Sequence, residues 1–233
     1  EEVAVPLPER GDLDDLAFES PLQGRRYAPA SEVAALARTR CVFVKTGGPY
    51  LRTSNLRGMQ AWLGDLVEDP DYARELAMCV TQHITAVGLE AIRRYGLYHT
   101  GVWFFDDMGA NTGPMFSPRT FERVLYPCYR WMCAQYRAAG VQHILLHCDG
   151  NINPFLDMLI DAGIQGFHPV EPKAGMDVVA LRKRSTSRAI ARRTPTRAGS
   201  SRRPSLPSAD CSASSAPSAP PPDASCWAAS TRL

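Results

Sequence analysis

The chain has 233 residues, room for one domain or a large part of one, and 26 Lys and Arg stand against 24 Asp and Glu. The net charge of +2 is uneven: residues 185–233 hold seven Arg against Asp210 and Asp223, so the first 184 residues carry −3. A mildly acidic body argues against a nucleic-acid face, and no apolar run approaches the roughly 20 residues of a membrane span.

Residues 1–40 are rich in Pro, Asp and Arg and read as an irregular arm with a short helix near Ser31–Arg38. The segment CVFVKTGG (41–48) predicts a strand stopped by two glycines. LRGMQAWLGDLVED (56–69) has Leu56, Met59, Leu63 and Leu66 or Val67 at helical spacing. Asp69 and Pro70 then form an N-cap and N1 pair for a new helix that runs to about Tyr95 and stops at Gly96.

GVWFFDDMG (101–109) predicts the next strand, and Ser117-Pro118 a helix start. Pro127 should kink that helix before its end near Gly140. HILLH (143–147) is a strand, Asn153-Pro154 opens a helix ending at Gly163, GFHPV (166–170) is a strand, and MDVVALRKR (176–184) begins another helix. Short apolar strands alternating with amphipathic helices predict a parallel sheet covered by helices. The fold class is α/β, either a partial (β/α)8 barrel of four to five βα units or an open doubly wound sheet. Neither a Gly-rich dinucleotide loop nor a Walker loop occurs.

The organisation is therefore an arm (1–40), a partial barrel (41–184) and a low-complexity tail (185–233). The tail lacks Val, Phe, Tyr, Lys and Glu and cannot bury enough surface to fold. It reads as a natural disordered extension or, the preferred reading, as the product of a frame slip shortly after Arg184. The chain begins Glu-Glu without Met, so its natural start is expected upstream. Seven cysteines without a CxxC predict free thiols of a reducing cytoplasm rather than a disulfide framework.

Chemistry is expected where the strands stop. Asp106 and Asp107 end one strand, and alternation puts them on opposite sides, so one can act as a general acid, hold substrate or bind a metal. His147 and Asp149 share a face at the next strand end, with Cys148 pointing elsewhere. They can supply two ligands to a divalent metal, or His147 can do acid–base work. Glu171 is the best third ligand, and His168 a weaker one. Lys45, with Gly47, Gly48, Tyr50 and Arg52, follows the first strand, where Lys or Arg can pair with a substrate carboxylate. Arg57 can serve the same purpose. His83 and His99 read as surface and loop residues without a role.

In this order the pieces resemble the uroporphyrinogen decarboxylase superfamily. The resemblance is carried by TSNLRGMQAWLGDLVEDPDYARELA, FFDDMGANTGPMFSPRTFERVLYPCYR, ILLHCDGNINPFLDMLIDAGIQGFHPVEP and AGMDVVALRKR, and it covers about residues 41–184. It implies a (β/α)8 barrel with its pocket at the C-terminal strand ends. Two chemistries follow from it: cofactor-free decarboxylation of a tetrapyrrole, and zinc-assisted methyl transfer between a corrinoid protein and a thiol. The methyltransferase zinc pattern is His-x-Cys plus a later Cys, whereas Asp149 stands in the second position here.

The decarboxylase's N-terminal arginine-rich motif and first-strand aspartate are absent. TGGPY only loosely matches the family loop that carries a pocket tyrosine, here Tyr50. The resemblance thus implies a methyltransferase-like barrel in which His147, Asp149 and Glu171 hold zinc. Asp106, Asp107 and His147 would act at the reaction centre, with Lys45, Tyr50 and Arg57 binding substrate. A cofactor-free decarboxylase is the alternative. An inactive truncated product, prone to pair through open strand edges, is a third reading.

Overall fold

Four parallel strands form the centre of the computed structural model, which describes residues 6–11 and 13–184. The predicted tail at 185–233 lies outside the described residues. The strands are β1 (Val44–Gly47), β2 (Val102–Phe105), β5 (Ile144–His147) and β6 (Gly166–His168), adjacent in the sheet in that order. Two short strands, β3 (Gly109–Ala110) and β4 (Gly113–Pro114), make a separate antiparallel ribbon after β2.

The main-sheet strands lie side by side in chain order, without the reversal of a doubly wound sheet. The helices also lie on one face. Val44, Val102, Phe104, Ile144 and Leu146 are buried beneath them. The alternate residues, Lys45, Trp103, Phe105, Leu145 and His147, line the opposite face and are half-buried or exposed. This is part of a (β/α) barrel wall, as the strand–helix alternation predicted.

The helices are α1 (Ala30–Ala37), α2 (Pro49–Arg57), α3 (Met59–Glu68), α4 (Pro70–Tyr95), α5 (Pro118–Thr120), α6 (Tyr126–Ala138) and α7 (Leu156–Ala162). Residues 178–184 are also helical. The predicted caps hold: the Asp69 side chain accepts from the Tyr72 N–H at 3.1 Å, and that of Ser117 from the Thr120 N–H at 3.1 Å. Packing α4 against β1, α2 and α6 makes it the main helical support of the sheet.

Two local expectations need correction. Residues 56–69 are not one helix: α2 begins at Pro49, and the chain breaks at Gly58 (φ 84°) before α3. Nor does Pro127 simply kink its helix. Proline has no N–H to offer the helical ladder, and a π-helical turn at Phe121–Leu125 precedes it, closed by the Tyr126 N–H bonding to Phe121 O. The turn rotates Phe121 into a stack with Phe155, ring centroids 4.5 Å apart, and Phe155 stacks in turn on Phe116 at 5.3 Å.

The arm is held to the helices by specific bonds. The Leu7 N–H donates to Leu56 O at 2.9 Å, and Phe18 stacks on His83 at 4.6 Å. His83 is thus half-buried rather than a surface residue, and burial holds its pKa down at about 4. Arg57 is buried: its Nε donates to Asp65 at 2.7 Å and its Nη1 to Leu7 O at 3.2 Å and to Pro8 O. Arg10 adds a second contact to Asp65 at 2.7 Å from a more exposed position.

Removing one partner of a buried ion pair strands the other charge. Arg57→Ala is therefore expected to destabilise the fold by about 3 kcal/mol in urea titrations, and Arg10→Ala by clearly less.

Candidate metal centre

Alternation along two neighbouring strands builds the site. Phe105 pairs with His147 across β2 and β5, and the Asp106 N–H donates to His147 O at 3.0 Å, carrying the ladder one residue further. Trp103, Phe105 and Asp107 therefore face the open side, beside Leu145, His147 and Asp149. One donor atom from each of Asp107, His147 and Asp149 lies within 4.8 Å of the others. His147 Nε2 is 3.7 Å from Asp107 Oδ1 and 3.6 Å from Asp149 Oδ1.

These spacings suit a divalent cation. Bonds of about 2.1 Å in a tetrahedron put neighbouring donors about 3.4 Å apart, and zinc accepts both imidazole nitrogen and carboxylate oxygen. The groups are also held in place. The Asp149 N–H donates to Asp107 Oδ1 at 3.1 Å. The ribbon packs backbone to backbone on the loop after β5, with the Asn151 N–H on Ala110 O at 2.9 Å. A side chain at Gly109 would meet Asp149 O at 2.6 Å, and one at Gly150 (φ +77°) would meet Gly109 at the same distance.

His147 itself is fixed on both sides. Its ring stacks on Phe105 at 4.5 Å, and its Nδ1 lies 3.0 Å from His168 Nδ1. Lys45 Nζ also lies over the Phe105 ring, 3.8 Å from its centroid. The Arg52 side chain fills the place a side chain at Gly47 would occupy, with Nε 2.1 Å from that position, on the face Lys45 shares. Neither cation has a carboxylate partner among the described residues.

Four of the residues singled out from the sequence lie elsewhere. Asp106 faces the helices and is fully buried. Its carboxylate accepts the Tyr50 N–H at 3.1 Å and the Leu51 N–H at 2.5 Å, the second and third residues of α2, and the Tyr129 hydroxyl from α6. It caps a helix from a neighbouring strand and does not reach the open face. Gly48 is glycine for the same reason, since a side chain there would meet the Asp106 carboxyl group at 2.4 Å.

Tyr50 is wholly buried, its hydroxyl on Met115 Sδ at 3.2 Å, and burial pushes its pKa up to about 12. It is a core residue rather than a pocket wall. Arg57 is spent on Asp65 and the arm. Glu171 lies three residues beyond β6, and its carboxylate accepts the Gly150 N–H at 2.7 Å. It buttresses the loop that carries Asp149, while Asp107 takes the third position in the cluster. Cys148 points to the helix side, as alternation required, and burial raises its thiol to about 12.

The sequence pattern of the family described as Uroporphyrinogen decarboxylase (URO-D) matches residues 2–188, most of the chain. The chain belongs to this family. The match takes in the arm as well as residues 41–184. Among solved structures, the fold is similar to that of a methyltransferase from Methanosarcina mazei, with TM-score 0.57 and 18% identity. That likeness covers 71% of this chain and 48% of the other, so the chain spans about half the length of that protein. No curated protein matches the chain. Within the URO-D family fold, strand ends of the sheet are where Asp107, His147 and Asp149 meet. No helix among the described residues is long and apolar enough to cross a membrane.

Burial outweighs the three hydrogen bonds to Asp106 and lifts its pKa from 3.8 to about 6. A carboxylate whose folded pKa is raised binds more protons in the native state than in the unfolded one between these values. Its contribution is full below about pH 4 and is lost as pH rises to about 6. Asp106→Asn should remove that slope. Urea-unfolding free energies measured from pH 4 to 7 are expected to show the wild type losing about 3 kcal/mol relative to the variant across this window.

Proposed function

We propose that this URO-D family chain serves metal-assisted methyl transfer to a thiol, with a corrinoid protein as the methyl-donating partner. The observation that carries the reading is the convergence of Asp107, His147 and Asp149 at two adjacent strand ends. Zinc bound there would lower the pKa of a coordinated thiol and so furnish a nucleophile at neutral pH.

The chain's own residues have separate tasks in this reading. Asp107 and Asp149 would supply negative charge to offset the cation, and His147 would supply a neutral donor through Nε2. As a ligand, Asp149 would donate less electron density than a thiolate and so would leave a bound cation the more acidifying. Lys45 and Arg52, without a carboxylate partner among the described residues, face the same opening, where they would hold an anionic group of the substrate. Trp103 and Phe105 form the apolar wall between those cations and His147 and limit water on that side. The carboxylates are acceptor-only groups when ionised, so Asp107, at the rim, can take the proton a thiol gives up.

The alternative from the same residues is cofactor-free decarboxylation of a tetrapyrrole. Lys45 and Arg52 would then fix its carboxylates, and Asp107 would stabilise the protonated ring. Asp106 is unavailable for that part, being buried as a cap.

Zinc titrated into the metal-free protein by calorimetry separates the two readings. Methyl transfer expects one zinc per chain, lost in His147→Ala and weakened at least about tenfold in Asp107→Asn and Asp149→Asn. Failure to bind zinc, together with tight uptake of a porphyrinogen, would reverse the assignment.

A further inference from the structure

We propose that His168 is a positioning residue that decides which nitrogen of His147 is presented to the cation. The proposal rests on the metal site described above and extends it to a residue outside the cluster.

The two rings are brought together by strand register. His147 and His168 are paired across β5 and β6, and the Cys148 N–H donates to His168 O at 2.9 Å just beyond. Their Nδ1 atoms are 3.0 Å apart. The edge of the His168 ring is set against Trp103, centroids 5.3 Å apart and planes at 84°, and the far side of His147 is set against Phe105. Neither ring can turn away without losing an aromatic neighbour.

A neutral imidazole has one N–H and one lone pair, so a bond between two Nδ1 atoms needs one ring to carry the proton and the other to accept it. The carboxylates choose which. Without a cation, Asp107 and Asp149 lie 3.7 and 3.6 Å from His147 Nε2 and favour an N–H there. His147 Nδ1 is then bare and accepts from His168. With a cation between the carboxylates, His147 would give it the Nε2 lone pair and would carry its own proton on Nδ1. The acceptor within reach is His168 Nδ1.

Loading the site therefore exchanges the tautomers of both rings. His147 releases its Nε2 proton to solvent and takes the shared proton on Nδ1. His168 gives up that proton and gains one from solvent on Nε2. The pair holds two protons before and after, so no charge is left at the junction of β5 and β6. A side chain at 168 that can neither donate nor accept would leave His147 Nδ1 to solvent, with no fixed partner to orient the ring, and so weaken the cation's hold.

The test uses zinc ion alone on the full-length, 15N-labelled chain, with His168→Leu and His168→Asn beside the wild type. His168→Leu is expected to bind zinc at least about tenfold more weakly. His168→Asn, whose amide can accept or donate, should recover most of the loss. Ring-nitrogen spectra of the wild type should show the His147 proton on Nε2 without zinc and on Nδ1 with it. Wild-type affinity in His168→Leu, equal weakness in both variants, or an unprotonated His147 Nδ1 in the loaded protein would each overturn the role given to His168. The spectra need no variant and stand even where a substitution unfolds the chain. Zinc binding that is indifferent to position 168 removes this inference alone, whereas no zinc binding to the wild type removes the metal site with it.

Discussion

The buried carboxylate of Asp106 is the constraint on which the arrangement of the rest depends. It belongs to the end of β2, yet it accepts two N–H groups at the start of α2 and the Tyr129 hydroxyl from α6. One side chain thus fixes β2, α2 (the helix that follows the neighbouring strand β1) and α6 in a single geometry. It leaves no buried donor at the α2 N-terminus without an acceptor, and the helix dipole favours negative charge there. Burial pulls the other way and lifts the group toward neutrality. The three donors limit that rise without cancelling it.

Alternation carries the effect of this anchor to the open face. With Asp106 committed to the helix side, Asp107 has to face the open side, level with His147 and Asp149. The same alternation buries Cys148 against the Met108 N–H, at 3.2 Å, and so removes a thiol from the reacting face. What faces outward is an ordered row: Lys45 over Phe105, Phe105 on His147, His147 bonded to His168. Glycines 109 and 150 let two loops touch by their backbones, which holds the carboxylates at a spacing that suits a cation.

Much of this was legible in the sequence for definite reasons. Strand ends, helix caps at Asp69 and Ser117 and the opposed directions of Asp106 and Asp107 follow from local rules of periodicity and capping. The pairing of His147 with Asp149 follows from the two-residue repeat of a strand. What was not legible depends on contacts distant in the chain. Which of Asp106 and Asp107 faces inward is decided by α2 and Tyr129. Tyr50 and Arg57 look like substrate-binding residues by type, yet Met115, Asp65 and Leu7 claim them. Glu171 misses the cluster because Gly150 offers a nearer donor. The ribbon of Gly109–Ala110 and Gly113–Pro114 is too short for any periodicity to reveal, though its glycines were a signal of close backbone approach.

Membership of the URO-D family accounts for the barrel wall, and the proposed metal site stands at its strand ends. The donors are one imidazole and two carboxylates, a harder set than two thiolates and a histidine would be. The most direct measurement is anomalous X-ray diffraction at the zinc absorption edge from crystals of the zinc-soaked protein. A single strong peak between Asp107, His147 and Asp149 is expected, with Glu171 still bonded to the Gly150 N–H. A peak held by other residues, or none at full zinc saturation, would contradict the assignment of this cluster as the metal site.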